Sequence, residues 1–312
     1  MLDTKAVTIG GEGPSITAAD ITTKQFSFRE LTWLRFKAHP IAKWAGIGLL
    51  VIAVACYGAP LWHALFPNYI QSTTQFDVLA ANSPPSLGHL FGTDSYNGHD
   101  IFSLVLWGGQ LSLLIGVGSM CIAVCIGVAV GATAGYLGGA SDNLLMRATD
   151  ILLTLPVLLV VPLATRLFGE ADPPHIAVIF GLLTWAPLSR IVRSQVLSMR
   201  EQQFTEAARA LGVPAWRIIL RHLMPNAIGP VIVYFTLGVA SNIVLEAFIS
   251  FLGFGLKPPT YSWGTILSDA QSVMTEGNWW WVTFPGLILT ATVICINFIG
   301  DGLRDALDPK IV

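Results

Sequence analysis

The sequence predicts an all-α transmembrane protein with six spanning helices, and three observations carry that prediction. Of the 312 residues, 53% are hydrophobic and 12% charged, against roughly 25% charged in ordinary soluble domains. The charges are clustered: Ile101 to Ser141 contains no Asp, Glu, Lys or Arg, and about 20 apolar helical residues suffice to cross the hydrocarbon. Uncharged runs then recur along the chain, separated by polar segments that hold nearly all the basic residues. A net charge of −2 leaves no basic footprint for nucleic acid, so membrane lipid is the expected surrounding.

The elements follow in order. A polar tail, residues 1–43, leads into a first span at 44–66. Ala53-Val54-Ala55-Cys56 is similar to a lipoprotein cleavage box, but the apolar run begins too far from Met1 for an ordinary signal peptide. An external loop occupies 67–103, and a core of five spans, 104–300, precedes a tail at 301–312. Within the core the second span lies in the long uncharged run. The third and fourth, Ile151 to Thr165 and Ile176 to Ser189, are short and rely on flanking charges that snorkel or face protein. The fifth and sixth are Ala227 to Leu245 and Val282 to Gly300. Cys56, Cys121, Cys125 and Cys295 all sit in apolar runs, where cysteine behaves as a small hydrophobe.

Six spans put both termini on one side, and the basic residues select it. All 17 Lys and Arg except Arg166 and Lys257 fall before the first span, between the second and third, between the fourth and fifth, or after the sixth. The positive-inside rule makes those segments cytoplasmic and the Pro67 to Phe102 connection, which has no Lys or Arg, external. Gly127, Gly131 and Gly135 recur every four residues in the second span. That stripe fits close approach of another helix, or simply the abundance of glycine in membrane helices. Pro156, Pro162, Pro187, Pro230 and Pro285 interrupt the spans and favour kinks.

The polar segment 190–226 between the fourth and fifth spans carries "EAARALGVPAWRIILRHLMPN". Thr205 can cap a helix whose first turn holds Glu206 at the positive end of the dipole. Ala207, Ala208, Arg209, Ala210 and Leu211 extend it, and Gly212 can end it in a left-handed conformation. Pro214 then opens a second helix, Ala215 to Met224, with Trp216, Ile219, Leu220 and Leu223 on one face, and Pro225 marks a bend into the fifth span. These residues alone fit two readings. One is a rigid knob gripped by a cytoplasmic partner, with Arg209, Arg217 and Arg221 facing its acidic groups or lipid headgroups; the other is an amphipathic loop shielding the helix ends.

Glu206-Ala207-Ala208 with Gly212 and Leu223-Met224-Pro225 resembles the EAA signature of ABC-importer permeases, and Arg221-His222-x-Met224-Pro225-Asn226 looks like its peptide-permease form. Gly92-Thr93-Asp94, Gly98-His99-Asp100, Leu245-Glu246-Ala247, Ser250-Phe251-Leu252-Gly253, Pro258-Pro259, Ser262-Trp263-Gly264 and Gly300-Asp301-Gly302-Leu303-Arg304-Asp305-Ala306-Leu307-Asp308-Pro309 are similar to the DppC/OppC branch. Three arginines usual in that branch are absent at His99, Leu104 and Gln110. The resemblance implies a type I importer permease with a cytoplasmic EAA coupling loop, in the bacterial or archaeal cytoplasmic membrane, both termini cytoplasmic. It implies as partners a second, DppB/OppB-like permease, two ATPase subunits and an external substrate-binding protein, and as cargo di- or oligopeptides. Glu206, Ala207, Ala208, Arg209, Leu211, Gly212 and Pro225 would couple to the ATPases.

The chain has no Gly-Lys dipeptide and hence no phosphate-binding loop of its own. No catalytic residue and no cofactor are assigned to it; ATP and Mg belong to the partner ATPases. For the substrate path, Ser241, Asn242, Glu246 and Asn297 are the polar groups expected to face inward, since polar atoms facing lipid are costly; hydrogen bonding to neighbouring helices is the competing role. His89, Asp94, His99 and Asp100 lie close in sequence on the external side. Nickel permeases belong to the same family, but the spacing matches no helical metal motif, and no metal site is assigned. Trp279-Trp280-Trp281 reads as an interfacial aromatic belt. A secondary transporter is the rival from another class, and it would need coupling-ion residues inside the spans; an intramembrane hydrolase lacks HExxH and G-x-S-x-G.

Overall fold

A computed structural model describes residues 28–75, 77–167, 172–274 and 277–307. Most of the expected N-terminal tail, the side chain of Arg166, and Asp308 to Val312 of the C-terminal tail lie outside the described residues. Among the described residues there is no β-strand, only an isolated antiparallel bridge between Thr93 and Asp100. Four helices are long and apolar enough to cross a membrane, or up to six if each of two bent pairs counts as one span.

Helix α1, Phe28–Ala38, leads into α2, Pro40–Tyr57. His39 caps α2 by accepting from the Ala42 amide at 3.2 Å, and Pro40 takes the first turn, where a missing N–H costs nothing. The expected first span, 44–66, is divided: α2 starts at Pro40, and Gly58 separates it from the short α3, Ala59–Leu65. Trp44, Leu50, Val51 and Val54 on α2 are exposed, as befits a helix facing lipid.

The long uncharged run forms α4, Ile101–Leu137, 37 residues and therefore about 55 Å of helix. Asp100 starts it by accepting from the Ser103 amide at 2.8 Å. Gly138, with φ +69°, stops it.

The third span departs most from expectation. Residues 151–165 do not form one straight helix; α5, Gly139–Thr154, meets α6, Val157–Leu167, at 88°. The cause is Pro156, whose ring drives Leu155 to φ −74°, ψ 126° and so out of the helix. The fourth span is bent as well: α7, Pro173–Thr184, and α8, Ala186–Arg200, meet at 46° around Trp185, because Pro187 has no N–H for the ladder across the joint.

Two short helices follow, α9, Gln203–Ala210, and α10, Ala215–Ile218. A π turn at Ile219–Leu223 carries α10 into α11, Met224–Phe251. Pro225 was expected to mark a bend, yet the helix passes through it without a break. The wide turn relieves the clash between the proline ring and the carbonyl four residues earlier. Helices α12, Trp263–Gln271, and α13, Trp279–Leu307, complete the fold.

Helix α4 is the hub, packed against α2, α7, α8 and α11. The glycine stripe forms its seam with α8: a Cβ on Gly127, Gly131 or Gly135 would lie 2.9, 2.4 or 2.8 Å from the carbonyl oxygen of Trp185, Ser189 or Arg193. Close backbone approach, not mere abundance, explains the repeat. The tryptophan triplet divides: Trp279 is exposed, whereas Trp280 and Trp281 are buried in the core beside Trp263. The Trp280 indole donates to the Thr93 carbonyl at 3.3 Å, so the connection before α4 is what claims that ring.

Candidate coupling loop and translocation cavity

Helix α9 is seated by residues that point inward. Thr205 was expected to cap α9, but the helix begins two residues earlier and the buried Thr205 hydroxyl donates to the Met199 carbonyl at 2.9 Å. The Met199 carbonyl already accepts from the Gln202 amide at 3.2 Å, and the Thr205 hydroxyl adds a second bond that ties α9 to the end of α8. Ala208 is also buried, beside Val192, Val196, Ile218 and Leu223. It anchors the loop and is not available to a partner.

The turn after α9 is a Schellman motif. The Gly212 amide donates to Arg209 O at 3.0 Å and the Val213 amide to Ala208 O at 3.1 Å, with Gly212 at φ +74°. The expected apolar face of the second helix is split: Leu223 is buried and Ile219 half-buried, but Trp216 and Leu220 are exposed and Ile218 turns inward in their place. The outward surface therefore combines Glu206, Ala207 and Arg209 with Leu211, which is 84% exposed, and with Trp216 and Leu220. Exposed leucine and tryptophan beside charged residues make a surface suited to a protein partner. The Arg209 guanidinium also lies 5.7 Å from the Tyr136 ring at the end of α4.

A cavity of about 1060 Å³ opens between α4, the α5–α6 corner, α7, α8, α11 and the end of α13. Its wall is mostly apolar, with Leu152, Leu183 and Pro187 typical, and its polar side chains include Gln195, Asn226, Ser241, Asn242 and Arg304. Pro225, the last residue of the expected coupling set, lines the same cavity as Ser241 and Asn242. Helix α11 thus joins the exposed loop to the cavity wall in one continuous element. Asn242 is nearly buried and its side-chain amide donates to the Ser119 hydroxyl on α4 at 2.8 Å. Ser241 is exposed.

Glu246 and Asn297 are not among the residues lining this cavity. Asn297 is half-buried on α13. Glu246 is 1% exposed and ties three elements together: its Oε1 accepts from Ser250 at 2.7 Å and from Ser262 at 2.6 Å, and its Oε2 from Ser112 at 3.4 Å. Ser262 is the N-cap of α12, and Ser112 on α4 also accepts from the Trp263 amide at 3.1 Å. These contacts plug α12 into the groove between α4 and α11. Sequence reasoning had no means of seeing the knot, because its serines are spread over 151 positions.

Glu246→Ala leaves the Ser250 and Ser262 hydroxyls buried without their acceptor, each unmet group costing about 1–3 kcal/mol. Glu246→Gln keeps a carbonyl oxygen for both. Thermal unfolding in detergent should show a large drop for the alanine variant and a small one for the glutamine variant.

In the connection before α4, Asp94 accepts from the amides of Tyr96, Asn97 and Gly98 and from His99 Nδ1 at 2.8 Å. Burial pulls its carboxyl upward, but the His99 and amide hydrogen bonds outweigh it and hold Asp94 below the usual carboxylate range. His89 pairs separately with Asp100 at 3.1 Å. The four residues weighed as a metal set therefore form two His–Asp pairs, and among the described residues no group of three or more such side chains could hold a metal.

The absent arginines are replaced by contacts of other kinds. His99 serves Asp94, Leu104 is buried, and the Gln110 amide donates to the Cys56 carbonyl at 2.9 Å.

Asp269 on α12 is pushed up to about 6 by burial and then by the Asp94 carboxylate, with His99 pulling back. A folded-state value raised above the unfolded one makes this group cost stability as pH rises from about 4 to about 6. Asp269→Asn should accordingly unfold at the same temperature as the parent chain near pH 4 and at a higher temperature at pH 7. Equal midpoints at both pH values would contradict the assignment.

Residues 127–312 match the family described as binding-protein-dependent transport system inner membrane component. The chain is 43% identical to the oligopeptide transport system permease protein OppC of Haemophilus influenzae over 78% of each chain. It is 40% identical to OppC of Escherichia coli K12, over 88% of this chain and 89% of that one. With the dipeptide transport system permease protein DppC of Bacillus subtilis it shares 37% identity over 94% of this chain and 89% of the relative.

Proposed function

This chain belongs to the family of binding-protein-dependent transport system inner membrane components, and from that membership we infer that it is the permease subunit of a peptide importer, a multi-pass membrane protein and not a catalytic subunit. In this reading the chain has six spans, each bent helix pair counting as one, with both termini and the loop 190–226 cytoplasmic. Glu206, Ala207, Arg209, Leu211 and Gly212 form the EAA surface that two separate ATPase subunits grip, while Ala208 seats it. ATP and Mg are bound by those subunits. A second permease closes the open side of the 1060 Å³ cavity, and an external substrate-binding protein delivers the peptide.

The observation that carries the mechanism is continuity: a single helical element, Ala215–Phe251, runs from the exposed loop to the wall of the cavity. When the ATPases close, displacement of α9 and α10 passes directly into α11 and moves Ser241 and Asn242 with it, a rigid-body switch between two packings. The mostly apolar wall with few polar atoms suits weak, side-chain-tolerant contact with a peptide in transit. Asn297 and Glu246 support the helices around the path.

The test is uptake of labelled di-, tri- and pentapeptides and of nickel into cells with and without this gene, the cognate partners being present. Loss of peptide uptake is expected. Loss of nickel uptake with peptide uptake intact would overturn the peptide assignment and keep the family.

A further inference from the structure

Two ion pairs join α5 to α8. Arg193 Nε and one terminal nitrogen donate to the two carboxylate oxygens of Asp142, each at 2.5 Å. Arg190 bonds Asp150 on the same pair of helices, and the Thr149 and Ser189 hydroxyls, both fully buried, meet between them at 3.4 Å. The pairing order is antiparallel: Asp142 with Arg193, then Thr149 with Ser189 and Asp150 with Arg190. The Asp142 side chain is 14% exposed and that of Arg193 32%, and the two-point fork fixes their relative geometry.

The ends of α5 are jointed. Gly138 and Gly139, at φ +69° and +57°, separate it from α4, and the extended Leu155 before Pro156 separates it from α6. A helix with a joint at each end takes its position from what it is fastened to along its length. Here that is α8, whose far end carries α9 through the Thr205 to Met199 hydrogen bond. Leu152 on α5 and Leu155 and Val157 at the corner line the cavity.

We propose that Asp142 and Arg193, assisted by Asp150 and Arg190, are positioning residues that transmit displacement of the coupling loop to α6 through α5, giving the importer a second route to the cavity wall besides α11. The inference rests on the coupling role given to α9. In it, α8 and α5 move as one bar, and the 88° corner turns their shift into a swing of α6. Lysine would keep the charge at 193 but lose the planar fork that fixes the angle between the helices.

The experiment uses the full importer, with both permeases, both ATPases and the binding protein, in proteoliposomes. Asp142→Arg and Arg193→Asp are compared singly and combined as a swap, with Arg193→Lys as the conservative variant. Each single reversal is expected to keep the complex assembled and its ATPase active while lowering peptide transported per ATP by about tenfold. The swap should restore most of that loss and Arg193→Lys only part of it.

Spin labels at Leu159→Cys on α6 and Leu79→Cys on the outer loop, both exposed, supply a second readout. Their ATP-dependent distance change should vanish in Asp142→Arg. Single reversals that transport as efficiently as the parent, or that leave the distance change intact, would overturn the proposal. So would single reversals that prevent assembly and leave the swap unable to restore it, since the pair would then be a folding element. Failure of the coupling role itself would show differently, as a Glu206→Lys importer that still transports.

Discussion

Glu206→Lys is expected to abolish peptide uptake while the chain stays in the membrane. Glu206 lies exposed in the first turn of α9, where its carboxylate faces the positive end of the helix dipole. Reversing the charge there costs the isolated helix about 2 kcal/mol at most, the lost attraction plus a repulsion of similar size, too little to unfold a protein whose loop is seated by Thr205, Ala208, Ile218 and Leu223. Under the proposed coupling role the damage falls on the contact with the ATPase, which would meet a cation in place of the Glu206 carboxylate. The ATPase subunits should no longer co-purify with the variant, and uptake should fall to the level of cells without the gene. Gly212→Pro should act alike through the turn, since Gly212 donates its amide to Arg209 O and sits at φ +74°, both impossible for proline. Unchanged uptake in both variants would remove the coupling role.

Gly131→Val has the largest expected effect on folding. A Cβ at Gly131 would stand 2.4 Å from the Ser189 carbonyl oxygen, 2.9 Å from the Val192 Cβ and 3.1 Å from the Arg193 amide nitrogen. Two of those three atoms are backbone, so α4 and α8 must separate. Overpacking of this kind costs about 1–3 kcal/mol for one added methylene, and valine adds more than one. Because α8 carries Arg190 and Arg193, its displacement also strains the contacts to α5. The control is Gly118 on the same helix, where a Cβ meets only Ala177 Cβ, at 3.6 Å; Gly118→Ala should be neutral or stabilising, since alanine is the better helix former by about 1 kcal/mol. Thermal unfolding in detergent separates the two, with Gly131→Val unfolding at a markedly lower temperature.

Spans and candidate surface were legible in the sequence wherever the signal is local. Uncharged runs located the apolar helices, the Gly127, Gly131, Gly135 spacing located a close helix contact, and Gly212 with Pro214 located the turn between α9 and α10. The errors arise where a contact formed only in the folded chain, or a local change of helix type, overrides a sequence rule. Thr205 looks like a cap but serves Met199; Pro225 looks like a bend but is absorbed by a π turn; Trp216 and Leu220 look like a buried face but stand exposed while Ile218 turns inward. Pro156 was read as a kink, yet a nearly right-angled corner depends on what α5 is fastened to. Glu246 is a path candidate because polar atoms facing lipid are costly, and it fills the competing role, hydrogen bonding to neighbouring helices, through three serines that come together only in the folded chain.

Cross-linking tests the central claim, that loop 190–226 is the cytoplasmic surface through which separate ATPases drive this permease, most directly. With the native cysteines replaced, Leu211→Cys on the loop and Leu87→Cys on the outer connection are placed one at a time in membranes holding the whole importer; both positions are highly exposed. A short bifunctional reagent should join Leu211→Cys to an ATPase subunit, with a yield that changes on adding ATP, and Leu87→Cys to none. An ATPase cross-link from Leu87→Cys and none from Leu211→Cys would contradict both the orientation and the coupling role.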